Sequence, residues 1–190
     1  PCIAAVIVIA LCTFVIVRIV SPRERPALYA AVVDSSLPLG EAAKLEQSTE
    51  HELGADVIVD DYFDTTKDGI SKLQTMISSE QIDVVIAPPS VFKELASYGY
   101  FSNLHEALPA AEYGQLHAYT QDFRGFDDAQ LADDVDDSGS GRGAAEPYGL
   151  KLERAGEWHR YADSSDALVG IVANTKQQAN AQRFIDYLYH

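Results

Sequence analysis

The chain has 190 residues, 47% of them apolar, and a formal net charge of −15. That length fits one domain plus an accessory segment, with enough apolar material for a core. So acidic a body argues against a nucleic-acid partner, because phosphate binding needs a positive surface.

Residues 3–20, IAAVIVIALCTFVIVRIV, are apolar except for Thr13 and Arg18. Eighteen helical residues span about 27 Å, close to the thickness of a hydrocarbon core. The expectation is an N-terminal transmembrane helix, with 1–25 as anchor and juxtamembrane linker and 26–190 as the body. A cleaved signal peptide is the alternative, but the usual small-residue site is not evident after Val20. Pro1 is not an initiator methionine, so the natural start is expected upstream. Cys2 and Cys12 would lie about 15 Å apart along one helix, too far to pair. The body has no cysteine. Arg18, Arg23 and Arg25 follow the span, and basic residues there favour a cytoplasmic body.

Ala27–Asp34 reads as a strand, and Ser35-Ser36-Leu37-Pro38 as a turn. Ala42, Leu45, Thr49 and Leu53 then recur at helical spacing, and Gly54 suits the position just past a helix end. Val57–Val59 predicts a second strand, ending at Asp60-Asp61-Tyr62-Phe63. Thr65 or Thr66 would cap the next helix, with Ile70, Leu73 and Ile77 inward. Val84–Ala87 is a short, wholly apolar run that breaks at Pro88-Pro89. Ser90 then opens a helix with Val91, Phe92, Leu95 and Tyr98 on one face, stopped by Gly99. Three strand–helix units in series predict an α/β fold, with a mostly parallel sheet between helical layers and right-handed crossovers.

Glu112–Phe126 places Tyr113, Leu116, Tyr119, Phe123 and Phe126 at near-helical intervals, which predicts a helix and a turn. Residues 127–143, DDAQLADDVDDSGSGRG, are acidic and nearly free of large apolar groups, and read as a loop. Within it, Asp134 to Gly139 matches the start of a calcium loop. Its twelfth position falls on Ala145, however, and a solvated acidic loop is the better account. Pro147-Tyr148-Gly149 and Ala167–Val172 are strand-like. Ala179, Ala181, Phe184, Ile185 and Leu188 suit a closing helix.

The apolar strand ending in Ala87-Pro88-Pro89, the helix ending Tyr98-Gly99-Tyr100-Phe101, and the pairs Asn103-Leu104 and Leu108-Pro109 together resemble a known family. So do Pro147-Tyr148-Gly149 and the closing GIVANTKQQANAQRFIDYLYH, residues 170–190. The family is the extracellular solute-binding proteins of ABC importers, with the type II periplasmic-binding-protein fold. The resemblance covers about 27–108 and 146–190. It implies the strand order second-first-third, a small polar solute such as a sugar as ligand, an ABC permease as partner, and a single-pass anchored body outside the membrane. That placement conflicts with the basic residues after the span. Family members have two lobes, and the stretch 109–147 is too short for a second one. The expectation is therefore one lobe with a reduced second lobe or cap. A reduced fold acting as a cell-surface interaction or sensory module is the alternative.

Open α/β sheets bind ligands at the carboxyl ends of their strands. The candidates there are Ser35, Ser36, Asp61, Tyr62, Pro89 and Ser90, whose hydroxyls, carboxylate and helix-start amides suit a polar solute or an anion. Plain capping and turn chemistry competes with that reading. Tyr148 and Trp158 could stack on a sugar ring, against ordinary packing. No histidine pair has metal-binding helical spacing. No P-loop, dinucleotide fingerprint, nucleophile elbow or nucleophile–base set is present. The reading is a binding protein with no cofactor or metal, and not an enzyme.

Overall fold

The computed structural model describes residues 25–34, 37–127, 139–162 and 166–190. The predicted span 3–20, Ser35, Ser36 and most of the acidic loop lie outside them. Among the described residues no helix is long and apolar enough to cross a membrane.

Six strands form one sheet: β1 (Leu28–Val33), β2 (Val57–Phe63), β3 (Val84–Ala87), β4 (Thr120–Arg124), β5 (Ala145–Lys151) and β6 (Leu168–Ile171), in the order β2-β1-β3-β6-β5-β4. β1 runs parallel to both β2 and β3. The second-first-third order is thus present, reached by helical crossovers as parallel neighbours require. The other half departs from the expected mostly parallel sheet. β6 is antiparallel to β3, β5 to β6 and β4 to β5, so the sheet is mixed. The cause is local: no helical crossover separates β4 from β5 or β5 from β6 among the described residues, and strands joined that way pair antiparallel.

Helices cover both faces. On one lie α1 (Glu41–Leu53) and the closing α6 (Gln178–Tyr189); on the other lie α2 (Gly69–Ser78) and α3 (Pro89–Ser97). β3 is apolar at every position because it is buried on both sides, with all four residues wholly inaccessible. α1 buries the expected Ala42, Leu45, Thr49 and Leu53, and Gly54 ends it at φ 64° with its N–H on the Glu50 carbonyl at 2.8 Å.

α2 begins later than expected, at Gly69. Thr65 and Thr66 do not cap it; their hydroxyls bond to the carboxylates of Asp34 and Asp64. The chain folds back so tightly there that a Cβ on Gly69 would sit 2.4 Å from the Asp64 carbonyl oxygen. α3 starts at Pro89, one residue before Ser90, in the first-turn position that a missing N–H suits. Its Phe92 stacks on Phe101 with ring centres 4.1 Å apart. The ring fits over the sheet because β5 and β6 carry Gly149 and Gly170 beneath it; a Cβ would come within 2.9 and 2.6 Å of the ring, respectively.

The stretch Glu112–Phe126 is also corrected. α4 (Leu104–Ala107) and α5 (Ala110–Leu116) are short, and a single 3-10 turn, His117–Tyr119, leads into the edge strand β4. Phe123 turns inward onto Phe92 with ring centres 5.4 Å apart, while its neighbours Asp122 and Arg124 are exposed. That alternation is a strand's.

Candidate functional site

The crossover from β1 passes along one face of the sheet, and those that follow β2 and β3 along the other. The carboxyl ends of β1, β2 and β3 therefore meet where the connections diverge, the usual ligand position of such sheets. Asp34 closes β1 at φ 55°. Its carboxylate accepts from the Thr65 N–H at 2.8 Å and the Thr65 hydroxyl at 2.9 Å, so the turn after β2 is tied to the end of β1.

Asp61 and Tyr62 lie side by side on one surface. They line a groove of about 630 Å³ between the end of β2 and the turn that starts α1, which adds Leu37, Leu39, Gly40 and Glu46. Tyr62 is 83% exposed and Leu39 fully exposed. The Tyr62 N–H donates to the Asp60 carboxylate at 2.9 Å. Asp60 also accepts the Tyr29 hydroxyl at 2.6 Å, and burial together with Asp60 holds that phenol far above its ordinary pKa. Among the described residues, no groove-lining side chain is basic.

Pro89 and Ser90 sit in the first turn of α3, Pro89 half-buried and Ser90 exposed. They stand at the end of β3, whereas the groove opens beside β2. Tyr148 lies on β5, two strands from β3, and packs half-buried against the cluster around Phe92. Its hydroxyl end abuts Gly125, where a Cβ would come within 2.5 Å of the phenolic oxygen. Burial, with Glu146 and Glu106 nearby, raises its pKa.

Trp158 corrects the stacking expectation. It is wholly inaccessible, in a 3-10 turn packed into the core shared by α1 and α6, so its ring cannot be offered to a solute. Leu39, Gly40 and Glu46 were not candidates from sequence. A bulky apolar residue set between Pro38 and Gly40 at a helix start was the signal that could have raised Leu39.

The connection from β4 to β5 begins and ends away from the groove. The Asp127 N–H donates to the Gly139 carbonyl at 2.9 Å, and the Gly143 N–H to the Gly125 carbonyl at 3.0 Å. The Gly141 N–H and the Ser140 hydroxyl fasten the same segment to Ser97, at the last turn of α3. α3 runs back antiparallel to β3, so this anchorage lies at the amino end of β3, opposite the groove. No group of metal-binding side chains occurs among the described residues.

No family model matches the chain, and no curated protein matches it. Solved structures that resemble it include a putative spermidine/putrescine ABC transporter from Listeria monocytogenes, with 14% identity over 66% of this chain and 31% of that one, and TM-score 0.33. A second is an ABC substrate-binding protein from Listeria monocytogenes in complex with cycloalternan, with 18% identity over 66% of this chain and 28% of that one, and TM-score 0.34. A third is a de novo designed cysteine esterase, with 16% identity over 65% of this chain and 26% of that one, and TM-score 0.33. The chain spans less than a third of the length of each. Likenesses this weak carry nothing about family or activity.

Proposed function

We propose that the chain is a non-enzymatic binding module built on one lobe of the solute-binding type, which engages a small polar solute at the carboxyl ends of β1 and β2. The observation that carries this reading is the groove beside Asp61 and Tyr62, at the end of the sheet where open α/β folds hold ligands. Among the described residues, its lining has two carboxylates, Asp61 and Glu46, no basic side chain, and an exposed tyrosine ring. That chemistry suits a neutral polyhydroxy solute stacked on Tyr62, or a cationic one, and disfavours the anion that strand-end amides alone would admit. The sequence resemblance adds the role: delivery to an ABC-type permease from an extracytoplasmic body tethered by residues 3–20.

The groove is open on one side, and the described ends of the connection from β4 to β5 leave from the opposite end of the sheet. A single wall buries less of a ligand than a closing cleft, so affinity should be modest. Thermal melting of the full chain in mild detergent, against sugars, polyamines, amino acids and small anions, tests the reading. A solute that binds the folded state raises the melting temperature. The expected result is stabilisation by a neutral or cationic solute at millimolar concentration, lost in Tyr62→Ala and weakened in Asp61→Asn. Stabilisation by anions alone, or by nothing in the panel, would refute solute capture at this groove.

One observation favours a second reading, an interaction or sensory module without transport. Leu39 and Tyr62 are both large and strongly exposed on one rim, the kind of patch that marks protein contacts. That reading expects no stabilisation by small solutes, together with cross-linking of a membrane partner that depends on Leu39 and Tyr62.

A further inference from the structure

The two edges of the sheet are finished differently. At the β2 edge, α1 supplies stoppers: the Val59 N–H donates to Glu46 Oε2 at 2.8 Å, and the Val57 N–H reaches Glu50 Oε1 at 3.5 Å. An edge whose outward amides are taken by side chains is a poor template for another strand. At the other edge, β4 has β5 as its one strand neighbour among the described residues.

The register shows which backbone groups of β4 point outward. Gly125 exchanges bonds with the segment before β5: its N–H goes to the Ala144 carbonyl at 3.2 Å, and its carbonyl accepts the Gly143 N–H at 3.0 Å. Gly125 and, two residues earlier, Phe123 thus face β5. By the period of two, the N–H and C=O of Asp122 and Arg124 face away from it. Asp122 lies opposite Pro147, which has no N–H to offer. The side chains of Asp122 and Arg124 project from the face opposite the buried Phe123, and both are exposed. The Arg124 guanidinium donates to the Gly143 carbonyl at 3.3 Å, its one hydrogen bond among the described residues.

We propose that β4 is the docking strand for a second copy of this chain, paired antiparallel about a two-fold axis at Phe123, so that two six-stranded sheets become one. In that register Asp122 lies opposite the partner's Arg124, and Arg124 opposite the partner's Asp122. The four outward backbone groups of each copy meet their complements in four hydrogen bonds. Two carboxylate–guanidinium pairs flank the axis on the exposed face. Opposite charges directly across a ladder stabilise it, and like charges destabilise it. A parallel approach would set Asp122 beside the partner's Asp122, and a one-residue slip would break both pairs. The charge pattern of β4 therefore selects one partner and one register, an isologous contact of the chain with itself. The strand is short, so the association is reversible and concentration-dependent.

Sedimentation of the full chain in mild detergent, from micromolar to near-millimolar concentration, tests this. The wild type should associate as a dimer. Asp122→Arg alone and Arg124→Asp alone should each weaken association by roughly tenfold, because each sets like charges across the axis. The double variant carrying both changes should recover it. An equimolar mixture of the two single variants should form a heterodimer, since each then supplies what the other lacks. Hydrogen exchange at the amides of Asp122 and Arg124 should slow as wild-type concentration rises. A wild-type chain that stays monomeric throughout would overturn the proposal. So would single variants that associate as well as the wild type, because association through any other surface is indifferent to the exchange of charges.

Discussion

Replacing Asp83 with alanine and with asparagine separates what its charge does from what its hydrogen bonds do. Asp83 stands at the amino end of β3 and is wholly inaccessible. One carboxylate oxygen accepts the Tyr29 N–H at 2.9 Å; the other takes Arg25 Nη2 at 2.8 Å and the Thr175 hydroxyl. It therefore joins the segment before β1, the start of β3 and the loop after β6. Breaking a fully buried ion pair costs about 3–5 kcal/mol. The Arg25 side chain is 30% exposed and can turn to water, which brings Asp83→Ala to about 3 kcal/mol, chiefly the stranded Tyr29 amide and lost packing. Burial raises the carboxyl pKa despite the opposing bonds from Thr175, Tyr29 and Arg25. The charge is thus held at a penalty, and Asp83→Asn, which keeps an acceptor for Tyr29, should cost about 1 kcal/mol. The sign of the pH effect follows. A raised folded-state value means that the folded protein binds the proton more readily. Stability relative to Asp83→Asn is therefore greatest below the ordinary aspartate range, near pH ~4, and falls as pH rises through the raised value. Urea melts of the three proteins across pH measure it. Equal losses in the two variants, or a gap from Asp83→Asn that widens as pH rises, would overturn this account of Asp83.

Glu112 is held up to about 7 by burial and by the nearby Asp186 carboxylate, and its buried Oε1 has no hydrogen-bond partner among the described residues. Its contribution is fully present below the ordinary glutamate value and lost as pH rises through about 7. Glu112→Gln should therefore stabilise the fold at pH ~8 by about 1 kcal/mol, discounted for solvent screening of a half-exposed group, and do nothing at pH ~4. Gly170→Ala would put a Cβ 2.6 Å from Phe92 Cζ and 2.9 Å from the Tyr148 carbonyl oxygen, and should cost about 2–3 kcal/mol in a denaturant melt. Arg183 donates to the Leu53 and Glu52 carbonyls, both at 3.1 Å, at the carboxyl end of α1. Arg183→Ala should cost about 1 kcal/mol and speed amide exchange in the last turn of α1.

What the sequence discloses and what it hides divide along physical lines. Val84–Ala87 is legible because a strand buried on both faces must be apolar throughout. The α1 stripe and Gly54 are legible because helix period and helix ending leave residue-type marks. β4 is not: in Thr-Gln-Asp-Phe-Arg only Phe123 meets the core, and one inward residue cannot distinguish period two from period 3.6. The antiparallel half of the sheet was hidden because the strand-like runs at 147–149 and 167–172 carry no mark of their direction or partners. Gly149 and Gly170 read as weak strand residues, since nothing in their own segments reports the Phe92 ring that excludes a side chain. Asp83 reads as a polar strand start, because its three donors arrive from sequence positions up to 92 residues away. Of the candidates, Asp61 and Tyr62 were chosen for strand-end position alone, and both line the groove. Trp158 failed because nothing in its own segment tells a core tryptophan from one offered to a solute.

The Asp83 cluster and the groove stand at opposite ends of the sheet, and that sets how a tethered body would be oriented. Arg25 is held to Asp83 at the amino end of β3, and the five steps back to Val20 reach at most about 17 Å. A span over residues 3–20, as the proposed function requires, would then attach the body by its amino-end surface. The groove would face away from the bilayer, open to solute or to a permease. A fluorophore on Leu39→Cys in nanodiscs should show weak energy transfer from labelled lipid headgroups, and one on the exposed Gln81→Cys, beside Asp83, should show strong transfer. Leu39 is fully exposed and outside the core, so its substitution leaves the fold intact. Equal transfer at the two positions, or stronger transfer at Leu39→Cys, would mean that the body lies on its side or is inverted, and the groove could not serve as a solute port in the manner proposed.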